Sequence, residues 1–254
     1  MGEFVHLHLH SEYSLLDGVN RIKEIPKIVK SLGMDAVALT DHGNMFGAVD
    51  FYKACKKEGV KPIIGVEIYM AKRRMQDKEP GIDDTRYHLG LLAKNEIGYK
   101  NLIKLVSIAN TEGMYYKPRI DREILKEYSE GLVCLSGCLA GELARNIIED
   151  YEKGKEVAKW YRDVFGDDYY LEIQANGIEE QKIVNQKIVK LSKELNIPLV
   201  VTNDVHYTCR EDVEAQDILI CIQTGKKIDD EDRMKIDVDT LYIKSPEEIK
   251  KEFA

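Results

Sequence analysis

The stretch Phe4-Val5-His6-Leu7-His8-Leu9-His10-Ser11-Glu12-Tyr13-Ser14-Leu15-Leu16-Asp17-Gly18 decides how this chain is read. Histidine alternates with apolar residues from His6 to His10. Period-two alternation predicts a strand over 4–9 with three imidazoles on one face. Residues i and i+2 stand roughly 6.5–7 Å apart along a strand, so two such imidazoles can converge on one ion. Three imidazoles on one buried face would otherwise each demand polar partners. The chain has six histidines, and three fall within these five residues. His8 and His10 are therefore candidate metal ligands. His6, deeper on the same face, is expected in the core or behind a ligand. Asp17-Gly18 ends the stretch with a turn signal that carries a carboxylate.

Outward from this stretch, short apolar runs alternate with amphipathic ones. Further strands are expected at 36–39, 63–70, 88–93, 132–135, 169–173 and 199–202. Helices are expected at 22–32, 48–57, 99–109, 142–148, 152–165, 180–195 and 212–222, the last as a core helix. Residues 71–86 are polar and contain Pro80-Gly81, which reads as a loop. Seven strand–helix repetitions with continuous apolar strands predict an α/β fold, a parallel sheet covered by helices, with a closed seven-stranded barrel as the nearest architecture. Ser245, Pro246 and Glu248 carry the signature of a helix start. The chain stops at Ala254, soon after that helix opens, which reads as the edge of a longer sequence.

Composition narrows the class. The chain has 254 residues, 44% hydrophobic and 32% charged, as in a globular chain with a real core. No apolar run approaches the roughly 18 residues of a membrane span, and the opening residues lack the pattern of a signal peptide. Five cysteines without an export signal point to a reducing, cytoplasmic compartment and no membrane. A net charge of −8 argues against an isolated module living on non-specific DNA affinity. If the chain acts on nucleic acid, another domain or partner supplies most of the grip. Clustered carboxylates awaiting cations would bias the charge in the same direction.

Candidate metal ligands gather where strands end: His8, His10, Asp17, His42, Glu67, His88, Cys138, Asp204 and His206. Barrel enzymes build their sites at the carboxyl ends of parallel strands. His88 breaks that rule by opening its apolar run, so its strand either runs the other way or starts earlier. Asp41 is expected to orient a ligating imidazole. Glu67, inside an apolar strand, is a buried carboxylate that needs compensation. Asp204 and His206 repeat the i, i+2 spacing. Imidazole, carboxylate and thiolate together favour zinc at Cys138, with manganese, iron or magnesium elsewhere. A cluster of such ions would suit attack on a phosphate ester. No serine–histidine–aspartate pattern and no phosphate-binding P-loop competes, and no general acid is identified. Lys72-Arg73-Arg74 and Tyr115-Tyr116-Lys117-Pro118-Arg119 are candidate substrate contacts, the second because rings and cations can stack bases and hold phosphates. The acidic run 229–232 is solvated surface.

FVHLHLHSEYSLLDG, ALTDHGNMFGAVDFY, KPIIGVEIY, YHLGLLAKNEIGYKNL, YYKPRID, GLVCLSGCLAGE and PLVVTNDVHY together resemble the polymerase and histidinol phosphatase (PHP) domain that opens bacterial DNA polymerase III alpha subunits. The resemblance runs from Phe4 to about Lys244. It implies a distorted seven-stranded (β/α)7 barrel with a metal cluster at the carboxyl ends of its strands, residues 1–244 as the PHP domain, and 245–254 as the start of a linker or helix toward a polymerase core. It implies two or three divalent metals: one on His8, His10, Glu67 and Asp204, a second shared by Glu67 with His88 and Cys138, a third on Asp17, His42 and His206. Catalysis would then run through metal held by His8, His10, Glu67, Asp204 and His206. The implied activity is a metal-dependent phosphoesterase, a 3′–5′ exonuclease proofreading on a DNA 3′ end. The implied partners are a polymerase core in cis, a separate proofreading exonuclease and other replisome subunits. A non-catalytic, metal-stabilised scaffold and a histidinol-phosphatase-like enzyme remain as alternatives.

Overall fold

The apolar runs become strands in a computed structural model of the chain, which describes residues 4–253. In order come α1 (Ile25–Ser31), β1 (Ala36–Leu39), α2 (Ala48–Glu58), β2 (Lys61–Ala71), β3 (Arg86–Ala93) and α3 (Glu96–Thr111). The hairpin β4 (Met114–Tyr115) and β5 (Lys117–Ile120) follows, then α4 (Arg122–Glu127), β6 (Leu132–Leu135), α5 (Glu142–Glu149) and α6 (Tyr151–Phe165). The chain continues through β7 (Tyr169–Gln174), α7 (Glu179–Leu195), β8 (Leu199–Thr202), α8 (Val213–Thr224) and α9 (Pro246–Glu252). No helix among the described residues is long and apolar enough to cross a membrane.

The sheet is ordered β4-β5-β2-β3-β6-β7-β8, with β1 also on β2. Its two edges are joined by residues 6–10. Ala38 N donates to His6 O (2.8 Å) and Thr40 N to Leu9 O (2.9 Å) on the β1 side. Past β8, Val205 N donates to His8 O (3.1 Å) and His10 N to Val205 O (2.8 Å). The expected seven staves are therefore 6–10, β1, β2, β3, β6, β7 and β8. The first is less regular than its alternation predicts. It bends at His8 and pairs through isolated bridges, because its two neighbours reach it at different residues.

One expectation needs correcting: the sheet is mixed, not parallel. β3 runs antiparallel to both β2 and β6. The physical reason lies in residues 72–85, which hold no helix to make a parallel crossover, so the chain folds directly back. The register pairs Glu67 with Gly90 and Tyr69 with His88. His88, near the amino end of β3, thus arrives at the same end of the barrel as the carboxyl ends of its neighbours. This is the first of the two options that its position left open.

Two short elements had no sequence signal. The β4–β5 hairpin turns at Tyr116 with φ 59°, without the glycine or asparagine such a turn usually announces. α4 starts at Asp121, whose carboxylate accepts from Ile124 N (3.1 Å). α8 is less of a core helix than expected, since Ile218 and Ile222 are 53% and 58% exposed. α9 has the capping box its sequence promises, Ser245 and Glu248 accepting from each other's backbone N–H. Buried Lys244 ties α9 to the barrel through Glu252 (2.6 Å) and Ala175 O (3.3 Å).

Alternation divides the barrel. Outward residues such as Val66, Leu89, Leu91, Cys134 and Leu171 pack under α3 to α7. Val37, Leu39 and Leu9 pack under α1 and α2. Inside, Ala38, Leu92 and Leu135 meet Leu7, Ile63, Val133, Tyr170 and Val200, and each fully buried leucine contributes roughly 2 kcal/mol by area. Further along the same inner faces, at i+2 steps, stand Glu67, His88, Glu172 and Thr202. The apolar half of the barrel holds the fold, and the polar half holds the site.

Candidate metal centre

Each candidate is delivered by the end of a stave. Beyond β1 the chain continues beside β2 as Thr40-Asp41-His42: Glu67 N donates to Asp41 O (3.1 Å) and Gly43 N to Glu67 O (2.9 Å). Gly43 sits at φ 63°, and a Cβ there would stand 2.9 Å from Pro118 Cγ, so glycine lets the β5 hairpin close on this loop. After β6, Gly137 at φ 85° turns the chain toward Cys138; a Cβ at Gly137 would meet His88 O at 2.7 Å. After β8, Asp204 adopts φ 51°, a left-handed conformation that Asp tolerates better than most residues.

The nine side chains converge. His8 Nε2 lies 3.2 Å from both Glu67 Oε1 and Asp204 Oδ1. His10 Nε2 is 3.3 Å from Asp204 Oδ1 and 3.7 Å from Glu67 Oε2. His42 reaches Glu67 Oε2 (2.7 Å) and Asp17 Oδ2 (2.9 Å) with its two nitrogens. His88 Nδ1 is 3.1 Å from Glu67 Oε2, and Cys138 Sγ 3.8 Å from that nitrogen. His206 Nε2 lies 3.8 Å from Asp17 Oδ2. His10, His42 and His206 form one group able to hold an ion; His8, His10 and Asp204 form a second; His42, Glu67 and His88 form a third.

The donor atoms fit a metal. His8 Nε2, His10 Nε2, His42 Nδ1, Glu67 Oε2 and Asp204 Oδ1 are all buried and, close as they stand to one another, make no well-aligned hydrogen bond, a condition that costs free energy unless something else satisfies them. They are the atoms that face one another. Their outer nitrogens are occupied: His8 Nδ1 donates to Glu172 Oε1 (2.7 Å) and His206 Nδ1 to Asp204 O (2.8 Å). Ser14 Oγ, which donates to Asp41 (2.8 Å), accepts from His10 Nδ1 (3.1 Å). Three imidazoles are thus held with Nε2 inward, as metal-ligating histidines are held by their outer partners. Asp41 departs from its expected role in one respect. It grips Ser11 and Ser14 and acts on His10 only through Ser14.

The charges are mutually dependent. Burial opposes the charged form of His42, yet Glu67 and Asp17 raise its pKa to about 10. His8 is held above the usual imidazole range, against burial, by Asp204, Glu172 and Glu67. His206 is raised, against burial, by Asp17 and Asp204. Burial, with His42 and His206 beside it, pushes His10 down to about 3. Glu67 stays well below the carboxylate range despite burial, because His88, His8 and His42 surround it. Burial and the carboxylates of Asp204 and Glu67 push the Cys138 thiol up, a direction that a bound cation would reverse.

His6 stands apart. It is fully buried with Nε2 2.9 Å from Lys244 O, the core role expected for it. Burial pulls its pKa down to about 4, against the Lys244 hydrogen bond. A depressed histidine contributes stability above its unfolded value near 6.5, and that stability is lost as pH falls toward 4. His6→Gln should therefore flatten the fall in stability between pH 6.5 and 4, read from urea midpoints. An unchanged slope would contradict this.

Sequence reasoning missed Glu172 in β7. Its Oε1 accepts from His8, Gln174 (3.0 Å) and Thr202, and its Oε2 accepts from Gly137 N (3.0 Å). One carboxylate therefore holds both His8 and the loop that carries Cys138. Its signal, an acid inside the apolar run YYLEIQ, is the one that flagged Glu67. Two cations chosen as substrate contacts are structural instead. Arg119 is fully buried and donates to the carbonyls of Asp83, Met75 and Asp77. Arg73 is taken by Asp83 (2.5 Å) and Glu79 (3.0 Å).

A family model described as the PHP domain matches residues 6–176. The chain belongs to the PHP domain family. This PHP chain is 53% identical over 248 residues to the DNA polymerase III subunit alpha of Borreliella burgdorferi, covering 97% of this chain and 22% of that one. It is 48% identical to the Campylobacter jejuni subunit, over 100% of this chain and 22% of the relative. For the Thermus aquaticus subunit the values are 44%, 98% and 21%. It spans about a fifth of the length of these relatives. Among solved structures, a Bifidobacterium adolescentis protein assigned as a metal-dependent phosphoesterase shares the fold, with TM-score 0.53 and 14% identity, over 80% of this chain and 87% of that one.

Proposed function

We propose that this PHP chain is the N-terminal module of a bacterial replicative polymerase and hydrolyses phosphodiesters at DNA 3′ ends, proofreading in cis. The observation that carries the reading is the set of orphaned donor atoms facing one another across the barrel mouth. His8, His10, Glu67 and Asp204 would hold one divalent ion, Glu67 with His88 and Cys138 a second, and Asp17, His42 and His206 a third. Zinc suits the thiolate position, and manganese, magnesium or iron the others. What such ions supply when bound is Lewis acidity toward water and toward a phosphoryl oxygen. The chain's own part is orientation. Glu172 and the Asp41–Ser14 pair fix imidazole tautomers, and Glu67, at the centre, keeps its charge available.

The domain division at 244/245, a cytoplasmic location and partnership with a polymerase core belong to the same proposal. The similarity to the three polymerase subunits supports it. A second reading, a metal-stabilised docking scaffold for the polymerase or a separate proofreading nuclease, is favoured by one observation, the net charge of −8. Stepwise shortening of 5′-labelled DNA, with manganese, zinc, magnesium or iron and with chelator, separates the two. Metal-dependent release from the 3′ end is expected. No release from single- or double-stranded ends with any of these metals would overturn the nuclease and leave the scaffold.

A further inference from the structure

Beside the centre lies a cavity of about 170 Å³ whose floor is Asp17, His42 and Tyr69 and whose rim includes Lys117, Phe46 and Leu15. The floor belongs to the site already described; the rim does not. Lys117 is placed there by the β4–β5 hairpin, which pairs Arg119 with Tyr69 and is pinned underneath by buried Arg119. Its ammonium lies 5.9 Å from the Tyr69 ring centroid, with the Arg86 guanidinium 5.8 Å from the same ring. Among the described residues, no carboxylate pairs with Lys117. Phe46 is 66% exposed and Leu15 63%, unusual for large apolar side chains beside a polar site. Phe46 is not loosely held, since its N–H donates to Asn44 Oδ1 (3.0 Å) and Asn44 Nδ2 donates to Tyr13 O (2.9 Å).

A cation and an exposed ring on one rim match the two chemistries of a single-stranded nucleic acid, a backbone phosphate and a flat base. A small phosphate monoester has a single phosphate, which the centre itself would take, leaving none for Lys117. We infer that Lys117 and Phe46 form a substrate-selecting rim, Lys117 holding a backbone phosphate and Phe46 stacking the base next to it, so that the site takes the end of a single strand. The inference rests on the proposed phosphodiesterase reading for its substrate, but it concerns binding and can be tested without turnover. The cation also explains how an acidic chain can hold an anionic strand at this one place: local charge at the mouth matters more than the net count.

The test is binding of a fluorescent single-stranded DNA oligonucleotide, with phosphorothioate linkages at its 3′ end to block hydrolysis, to manganese-loaded protein, read by anisotropy across a salt series. Lys117→Met should weaken binding about tenfold and lower the salt slope by about 0.7, the value for one phosphate contact on a single strand. Phe46→Ala should weaken binding by a similar factor, about tenfold for one lost stack, with the salt slope unchanged. Lys182→Met, on α7 and outside the lining of the cavity, controls for net charge and should bind as wild type. Metal content, measured on each variant, should not change. Wild-type affinity in both rim variants, or an equal loss in Lys182→Met, would overturn the rim. Lys117-dependent binding without hydrolysis of unmodified DNA would leave the rim standing and sink the nuclease. Hydrolysis with wild-type affinity in both variants would do the reverse.

Discussion

Glu67→Gln is expected to lower the metal content of the chain by at least one ion and to reduce phosphodiester hydrolysis by about a thousandfold, about 4 kcal/mol of transition-state stabilisation. Glu67 is fully buried, and its two oxygens lie within 3.7 Å of nitrogens from His8, His10, His42 and His88. Among the described residues no other side chain has polar contacts with so many candidate ligands. Glutamine keeps the shape and the backbone register with Gly90, so the barrel should persist. It removes the charge and turns an N–H donor toward imidazole nitrogens that need an acceptor or a cation. Elemental analysis of the purified variant, beside 3′-end release, checks both parts. A full metal complement with wild-type turnover would contradict the central place given to Glu67.

Stripping metal from the wild-type protein should lower its Tm by about 5–11 °C. An ion present at a hundredfold over its Kd stabilises by about 2.7 kcal/mol, and each kcal/mol moves Tm by about 2–4 °C in a chain of this size. The loss should grow with pH. In the stripped protein His42 is raised to about 10 by Glu67 and Asp17, against burial. A raised histidine contributes stability that is fully present below its unfolded value near 6.5 and is lost as pH rises through its folded value. Glu67 and Asp17 are the other halves of the same interactions, so the effect counts once. The Tm of stripped protein should therefore fall between pH 7 and 9, while that of loaded protein stays nearly level, because ions stand where protons stood. Calorimetric scans of both forms at the two pH values check this. Equal slopes would mean that the cluster is not linked to metal.

Much of the site was legible because its ligands announce themselves locally. The i, i+2 histidines in HLHLH, the Asp204/His206 pair and Glu67 within an apolar run are polar residues where a strand should be apolar, and each meets the others in the structure. The partners behind them were harder to see. Glu172 carries the same local signal as Glu67, but its hold on His8 and Gly137 depends on β7 lying beside β6 and on the first stave closing the barrel, which no window of sequence contains. Arg119 misled for the opposite reason. A cation among tyrosines and a proline reads as a ligand contact, yet residues 72–85 fold over it and present their carbonyls to its guanidinium. The direction of β3 was readable from the lack of a helix between 71 and 86, whereas the Tyr116 turn was not, because it does without the residues that usually mark one.

The central claim is that the nine converging side chains hold divalent metal. Elemental analysis of the wild-type chain, purified with zinc and manganese supplied and then freed of loose ions, tests it most directly. Two or three ions per chain are predicted. Less than one ion per chain after such loading would contradict the claim, and with it the phosphoesterase reading built on it.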